Sequence, residues 1–135
     1  SLPGAIAAAL VHPDRHVVAL SGDGGFLMNS QELETAVRLG VRICVVVWRD
    51  DGYGLIDWKQ RNEFGRPFAV TFGNPDFCDF ARSFGVAAFR PSTAADLRPT
   101  LARALDVDGP SLVEVPIDYR ENLRLTERLG ALALT

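Results

Sequence analysis

Residues 41–54 read VRICVVVWRDDGYG. Val41 to Trp48 is apolar almost throughout and rich in β-branched residues, and the character then changes abruptly to Arg49-Asp50-Asp51-Gly52. A continuous apolar run of this kind suits a strand covered on both faces, which belongs to a parallel sheet rather than to an antiparallel sheet with one wet face. The abrupt end matters as much as the run. A loop can turn polar for solubility alone, whereas a ligand site at a strand end needs particular groups there.

Upstream, Asn29-Ser30-Gln31-Glu32 has the spacing of a capping box, with Asn29 as N-cap. The helix it opens carries Leu33, Ala36 and Val37 on one stripe and stops at Gly40. Before it, His16 to Ser21 (HVVALS) is a short buried strand, followed by Gly22-Asp23-Gly24-Gly25. Residues 2–11 form an Ala-rich helix that ends at the turn signal His12-Pro13-Asp14. Downstream, LIDWKQRNEFGRP (55–67) reads as a short helix and a loop. Asn74-Pro75 places a cap before a proline at the first helical position, and that helix runs to about Ser83 and ends at Gly85. VAAF (86–89) is a third strand. Thr93 to Leu105 is helical by pattern, although Pro99 falls beyond the first turn, so a later start or a kink is expected. SLVEVPID (111–118) is the last strand, and the tail from Tyr119 has weak helical character.

This strand–helix–strand order predicts an α/β fold: a three-layer, doubly wound parallel sheet with helices on both faces and right-handed crossovers. The chain of 135 residues is 47% hydrophobic and 23% charged, ordinary values for one globular domain. A net charge of −3 gives no attraction for nucleic acid or for an anionic membrane. No apolar run approaches the roughly 20 residues of a membrane span, and the first residues lack a signal-peptide pattern. Cys44 and Cys78 sit apart in apolar surroundings and read as reduced core residues, which points to a cytoplasmic setting. The opening SLPGAIAAALVHPDRH lacks an initiator Met and enters a helix already under way. The expectation is a domain spanning 1–135, with 119–135 as its tail, cut from a longer chain and truncated at its N-terminal edge.

Asp23 lies just past the end of one strand and Asp50 just past the end of the next, with a helix returning the chain between them. Consecutive parallel strands are typically neighbours, about 5 Å apart, so both carboxylates open onto one crevice at the carboxyl ends of the strands, where such sheets bind ligands. Two carboxylates in one place repel unless something positive neutralises them. A magnesium ion commonly takes one or two carboxylates together with phosphate oxygens and water. Gly22, Gly24 and Gly25 let backbone N–H groups approach an anion, and the helix opening near Asn29 could add its positive end. Spacing alone leaves a plain Gly-rich turn open as a reading. A dinucleotide fingerprint would need a third glycine, and a P-loop would need Gly-Lys-Ser/Thr; both are absent.

GDGGFLMNSQELETAVRLG (22–40), followed by VVVWRDDGYG (45–54), resembles the diphosphate-binding domain of thiamin-diphosphate enzymes. Their hallmark is Gly-Asp-Gly and, one crossover later, a paired Asn-Asn or Asn-Asp. The flanking LPGAIAAALVHPDRHVVALSGDGGF (2–26), ELETAVRL (32–39) and VPIDYREN (115–122) look most like acetolactate synthases, and the resemblance covers nearly the whole chain. It implies thiamin diphosphate and Mg²⁺ as cofactors. In that family the aspartate of Gly-Asp-Gly and the second residue of the pair bind the ion through their side chains, which are Asp23 and Asp50 here. The residue two further on gives a backbone carbonyl, here Gly52. Gly24, Gly25, Tyr53 and Gly54 fall where backbone groups meet the diphosphate, and Leu55 and Ile56 where side chains line the cofactor and substrate pocket. The first residue of the pair, usually an Asn that steadies the loop, is Arg49. An arginine there could leave metal binding intact while changing the loop's hydrogen bonds, contact a phosphate, pair with Asp51, or be a solvated charge.

The resemblance further implies a transferase of branched-chain amino acid biosynthesis, which decarboxylates pyruvate and passes the two-carbon unit to a second 2-ketoacid. The glutamate that activates the cofactor belongs to a pyrimidine-binding domain, supplied by a second subunit, that this sequence lacks. No catalytic side chain is therefore expected on this segment, which should be inactive alone, expose apolar surface, and work within a homo-oligomer. A related 2-ketoacid decarboxylase and a non-catalytic phosphate- or nucleotide-binding module are the alternatives. Among other residues, Trp48 reads as core, and Trp58, Lys59 and Gln60 as packing or substrate contacts. His12 and His16 read as surface groups opposite the site, and Asp51 as a solvated turn acid. Asp118 and Glu121 suggest no role.

Overall fold

The computed structural model describes residues 1–118. Four parallel strands form one sheet in the order β1-β2-β4-β3: β1 Val17–Gly22, β2 Ile43–Arg49, β3 Ala87–Phe89 and β4 Ser111–Pro116. The helices are α1 Leu2–Val11, α2 Asp23–Leu27, α3 Glu32–Leu39, α4 Gly54–Phe64, α5 Phe77–Ser83 and α6 Leu97–Leu105. The parallel α/β architecture agrees with the sequence reading. The weak helical character from Tyr119, and Glu121 with it, lie outside the described residues.

β2 occupies the middle of the sheet, and its first five residues are all buried. Alternation along the strand sends Ile43, Val45 and Val47 to one face and Cys44 and Val46 to the other. On the first face they pack with Leu2, Ile6 and Ala9 of α1, Phe26 of α2, Leu33 and Ala36 of α3, and Phe77 and Ala81 of α5. On the second face α6 supplies Leu97, Leu101, Ala104 and Leu105, with Val113 and Val115 of β4 and Trp48 beside them. The apolar run that decided the fold is thus sandwiched between two helical layers. At the edge strand β1, Val18 and Leu20 remain exposed. Cys44 and Cys78 are buried free thiols, and burial pushes both upward in pKa.

Three local expectations need correction. Asn29 does not cap α3. Glu32 is its first residue, Gln31 precedes it without a side-chain cap, and Glu32 accepts a bond from Thr35 Oγ1 at 2.8 Å instead of reaching back to Asn29. A run of i→i+3 bonds from Glu32, Leu33 and Glu34 to Asn29, Ser30 and Gln31 satisfies the opening turn. Gly22-Asp23-Gly24-Gly25 is not a plain Gly-rich turn, because Asp23 opens the short helix α2 with Gly22 as its N-cap. Asn74 does not cap α5 either; Asp76 does, accepting from the Asp79 N–H at 2.9 Å. The helix after Thr93 begins late, as Pro99 required. A 3-10 turn over Ala94–Asp96, held by a Thr93–Asp96 capping box, precedes α6, and Pro99 falls in its first turn, where no N–H is needed. Gly40 ends α3 with φ of 61°.

Candidate functional site

The parallel pairing of β1 with β2 sets Gly22 opposite Trp48, so Asp23 and Asp50 emerge side by side at the carboxyl end of the sheet. Asp23 is 1% exposed. Its Oδ2 accepts from the Asp51 N–H at 2.8 Å, the Asp50 N–H at 3.2 Å and Asn74 Nδ2 at 2.7 Å. Its Oδ1 accepts from its neighbour Gly24 N–H at 2.8 Å. A carboxylate offers about four lone-pair sites, two on each oxygen, so Oδ2 is saturated while Oδ1 keeps capacity for a ligand. Asp50 is only partly buried, and its carboxyl is pushed up to about 6, first by loss of solvent and then by the Asp23 charge and a hydrogen bond shared with it.

The turn after Asp50 is locked to residues 70–72. The Tyr53 N–H donates to the Val70 carbonyl at 2.8 Å, and the Phe72 N–H donates to the Asp51 carbonyl at 3.2 Å. Gly52 pairs with Thr71 between these two bonds. In such an antiparallel bridge the flanking residues make the ladder bonds, which leaves the central residue's carbonyl directed away from its partner strand. A Cβ on Gly52 would lie 2.9 Å from the Val70 carbonyl oxygen, so glycine is required by this close approach. Asp51 holds a left-handed φ of 58°, a conformation Asp adopts more readily than most residues. It is an exposed turn acid, as read, but a partnered one: its Oδ1 accepts from Arg49 Nε at 2.9 Å and from Asn74 Nδ2 at 2.7 Å, and these bonds lower its pKa.

The remaining sequence-assigned residues surround this turn. Tyr53 precedes α4, and its ring packs against Phe72 at a tilt of 57° with centroids 4.8 Å apart. That ring lies 2.6 Å from where a Gly24 Cβ would be, so Gly24 makes room for Tyr53 as well as exposing backbone. A Gly25 Cβ would be 3.2 Å from Ser21 Oγ, whereas nothing lies within 4 Å of one on Gly22. Gly54 starts α4, and Leu55 and Ile56 follow it exposed, on a helix with no buried residue. Phe64 and Phe68 are exposed as well, in keeping with the expected apolar surface. Trp58 is half-buried, and Gln60 Oε1 accepts from the Phe68 N–H. His12 and His16 are exposed at the opposite end of the strands.

Asn74 and Glu114 are the site residues that the sequence reading missed. Asn74, read as a helix cap, bridges Asp23 and Asp51, and its own Oδ1 is buried without a hydrogen-bond partner among the described residues. Glu114 lies on β4, is 0% exposed, and accepts from both Arg49 and Arg90. A lone acid inside the apolar run SLVEVP was a signal for it, since a charge is not buried on an inner strand without partners. Arg49 is therefore partly exposed but paired with Asp51 and Glu114, which settles its reading in favour of pairing.

The model for the thiamine pyrophosphate enzyme C-terminal TPP binding domain matches residues 1–115. The chain belongs to this family. Thiamine pyrophosphate (TPP) is the thiamin diphosphate of the sequence resemblance. The TPP-binding domain is 47% identical over 129 residues to a catabolic acetolactate synthase of Raoultella terrigena, covering 96% of this chain and 23% of that protein. It is 42% identical over 125 residues to an acetolactate synthase of Bacillus subtilis, covering 93% and 22%. Against the acetolactate synthase isozyme 1 large subunit of Escherichia coli it is 34% identical over 124 residues, covering 90% and 22%. The chain thus spans less than a quarter of the length of these curated relatives. Among the described residues of this TPP-binding domain, no helix is long and apolar enough to cross a membrane.

The donor set fits the cation that accompanies a bound diphosphate. It consists of oxygens only: the carboxylates of Asp23 and Asp50, which share a hydrogen bond, and the Gly52 carbonyl two residues on, directed away from residues 70–72, a set that suits a hard divalent ion such as Mg²⁺. The Asp50 pKa is raised first by burial and then by the Asp23 charge, and a bound cation would offset the second of these.

Proposed function

We propose that this domain anchors the diphosphate of TPP through Mg²⁺ in an acetolactate synthase, which decarboxylates pyruvate and transfers the two-carbon unit to a second 2-ketoacid. The observation that carries the reading is the meeting of Asp23 and Asp50 at adjacent strand ends, with Asp50 raised to about 6 by desolvation and by its neighbour. The likeness to acetolactate synthases supplies the reaction. When bound, TPP supplies the carbanion-stabilising chemistry of 2-ketoacid decarboxylation.

The chain's own part is to bind and orient. Asp23 Oδ1, the Asp50 carboxylate and the Gly52 carbonyl hold the ion. Gly22, Gly25 and the start of α4 at Gly54 offer backbone to the diphosphate, and the Gly24 N–H can join them if it leaves Asp23. Tyr53 fixes the entry to α4, and Leu55 and Ile56 present an apolar wall on the same side. This wall, with Phe64 and Phe68, is the surface expected to meet a pyrimidine-binding domain of a second subunit in a homo-oligomer. A reducing cytoplasmic setting fits the two unbridged buried thiols.

The test is turnover of pyruvate by the intact protein with Mg²⁺ and TPP, with products identified. Acetolactate supports the reading. Acetaldehyde alone would make the protein a decarboxylase, and nucleotide binding that ignores Asp23→Ala would make the domain a non-catalytic module. The 135 residues alone, which match less than a quarter of the relatives' length, should give no turnover.

A further inference from the structure

Five charged side chains outside the ion's own donor set form a continuous circuit behind it. Asp51 Oδ1 accepts from Arg49 Nε at 2.9 Å, and Arg49 Nη1 donates to Glu114 Oε1 at 2.9 Å. Glu114 Oε2 accepts from Arg90 Nη2, which also donates to Asp76 Oδ2 at 2.7 Å. Asp76 caps α5 and lies two residues after Asn74, whose amide returns to Asp51 and Asp23. The circuit therefore closes on the turn between Asp50 and Tyr53, drawing on the ends of β2, β3 and β4 and the start of α5.

Glu114 is the informative member. It is fully buried on a strand paired on both sides, where a hydrophobic residue of similar volume would serve stability as well or better. Its two oxygens are spent on two arginines, and one of these reaches Asp51 in a left-handed conformation. Asp51 leads directly into Gly52, whose carbonyl the bridge to Thr71 directs away from residues 70–72. We propose that Arg49 and Glu114 are positioning residues for the cation: Glu114 fixes Arg49, and Arg49 holds Asp51 so that the Asp50 carboxylate and the Gly52 carbonyl face the ion together. On this account Arg49 replaces the family's loop-steadying Asn by a longer tether, and Glu114 is the anchor the tether needs. The proposal rests on the reading of Asp50 and Gly52 as ion ligands.

The test titrates Mg²⁺ into the intact protein at fixed TPP, following cofactor binding by calorimetry, with thermal unfolding measured in parallel. Arg49→Gln should raise the half-saturating Mg²⁺ concentration about 10-fold, the range expected when a partner that orients a metal ligand is lost. Arg49→Lys should recover part of that loss, and Asp51→Asn combined with Arg49→Gln should add little to either alone, since both cut one tether. Glu114→Gln should act in the same direction; if it does not fold, Arg49→Gln carries the test, because its side chain is partly exposed and Glu114 keeps Arg90. A lowered melting temperature with unchanged Mg²⁺ dependence in Arg49→Gln would overturn the proposal and leave the circuit a stability feature. Asp50→Ala is run alongside. If it too leaves Mg²⁺ dependence unchanged, the site reading fails first, and the positioning claim with it.

Discussion

Asp23 and Asp50 are the same residue type, each immediately past the end of one of two neighbouring strands, yet they live in different circumstances. Asp23 is almost wholly buried and accepts four hydrogen bonds, two of them from the backbone of the turn that carries Asp50. Asp50 is partly solvated, shares a hydrogen bond with Asp23, and has a carboxyl pushed up to about 6. The first aspartate is a piece of the fold. On the proposed reading it also offers an oxygen to the ion, while Asp50, held near a like charge, is the carboxylate that needs the cation. One residue type would thus divide two tasks, building the turn and meeting the ion, according to how many donors surround it.

Removing each side chain should separate these tasks most sharply. Asp23→Ala strands the Asp50 and Asp51 N–H groups and leaves the Asn74 amide with Asp51 alone, and each buried polar group left unpaired costs about 1–3 kcal/mol. Chemical denaturation should show a loss of about 3 kcal/mol or more for Asp23→Ala, and little change, or a gain, for Asp50→Ala. Comparable losses in the two variants would erase the distinction.

Proton competition gives the next largest effect. Asp50 holds its proton more tightly when folded than in an unfolded chain, whose value lies near 3.8. Its contribution to stability without metal is therefore greatest below pH ~3.8 and is lost as pH rises through about 6. Metal binding runs the other way: Mg²⁺ affinity should rise with pH up to about 6 and then level off. Asp50→Asn keeps an oxygen ligand and removes the proton, so its Mg²⁺ affinity should be nearly flat between pH 5 and 7, roughly. A wild-type curve as flat as that of the variant would contradict the pairing of the two acids.

The glycines give a smaller contrast. Gly24→Ala must displace the Tyr53 ring, which a Cβ would approach to 2.6 Å, whereas Gly22→Ala meets nothing within 4 Å. Gly24→Ala should lower the melting temperature, by about 1–3 kcal/mol in stability terms. Gly22→Ala should stay within about 0.5 kcal/mol of wild type and report only on crowding of the diphosphate. Thermal unfolding without cofactor distinguishes the two.

What the sequence disclosed and what it hid follow a physical division. β2 was legible because burial on both faces leaves a long apolar run, and the two aspartates because a strand end announces itself by an abrupt change of character. The family motif then named the cofactor, and the family model agrees. The hidden parts depend on contacts distant along the chain. Asn74 carries both the spacing of a cap and the reach to bridge two acids, and only the path of residues 70–72 decides between them. The Asn29 capping box failed because the turn bonds of residues 29–34 satisfied the helix start without a side chain. Glu114 pairs with arginines brought in by β2 and by the segment after β3, and that meeting follows from the strand order β1-β2-β4-β3, which local pattern does not specify.

The central claim is that Asp23 and Asp50 share one divalent ion that anchors the diphosphate. Calorimetric titration of TPP into the intact protein at graded Mg²⁺, for wild type and for Asp50→Ala, tests it most directly. The account predicts Mg²⁺-dependent binding in wild type and a loss of more than about 100-fold in a variant that still folds, since even outer partners of a metal ligand are worth about 10–100-fold. Mg²⁺-dependent binding of undiminished affinity by Asp50→Ala would contradict it.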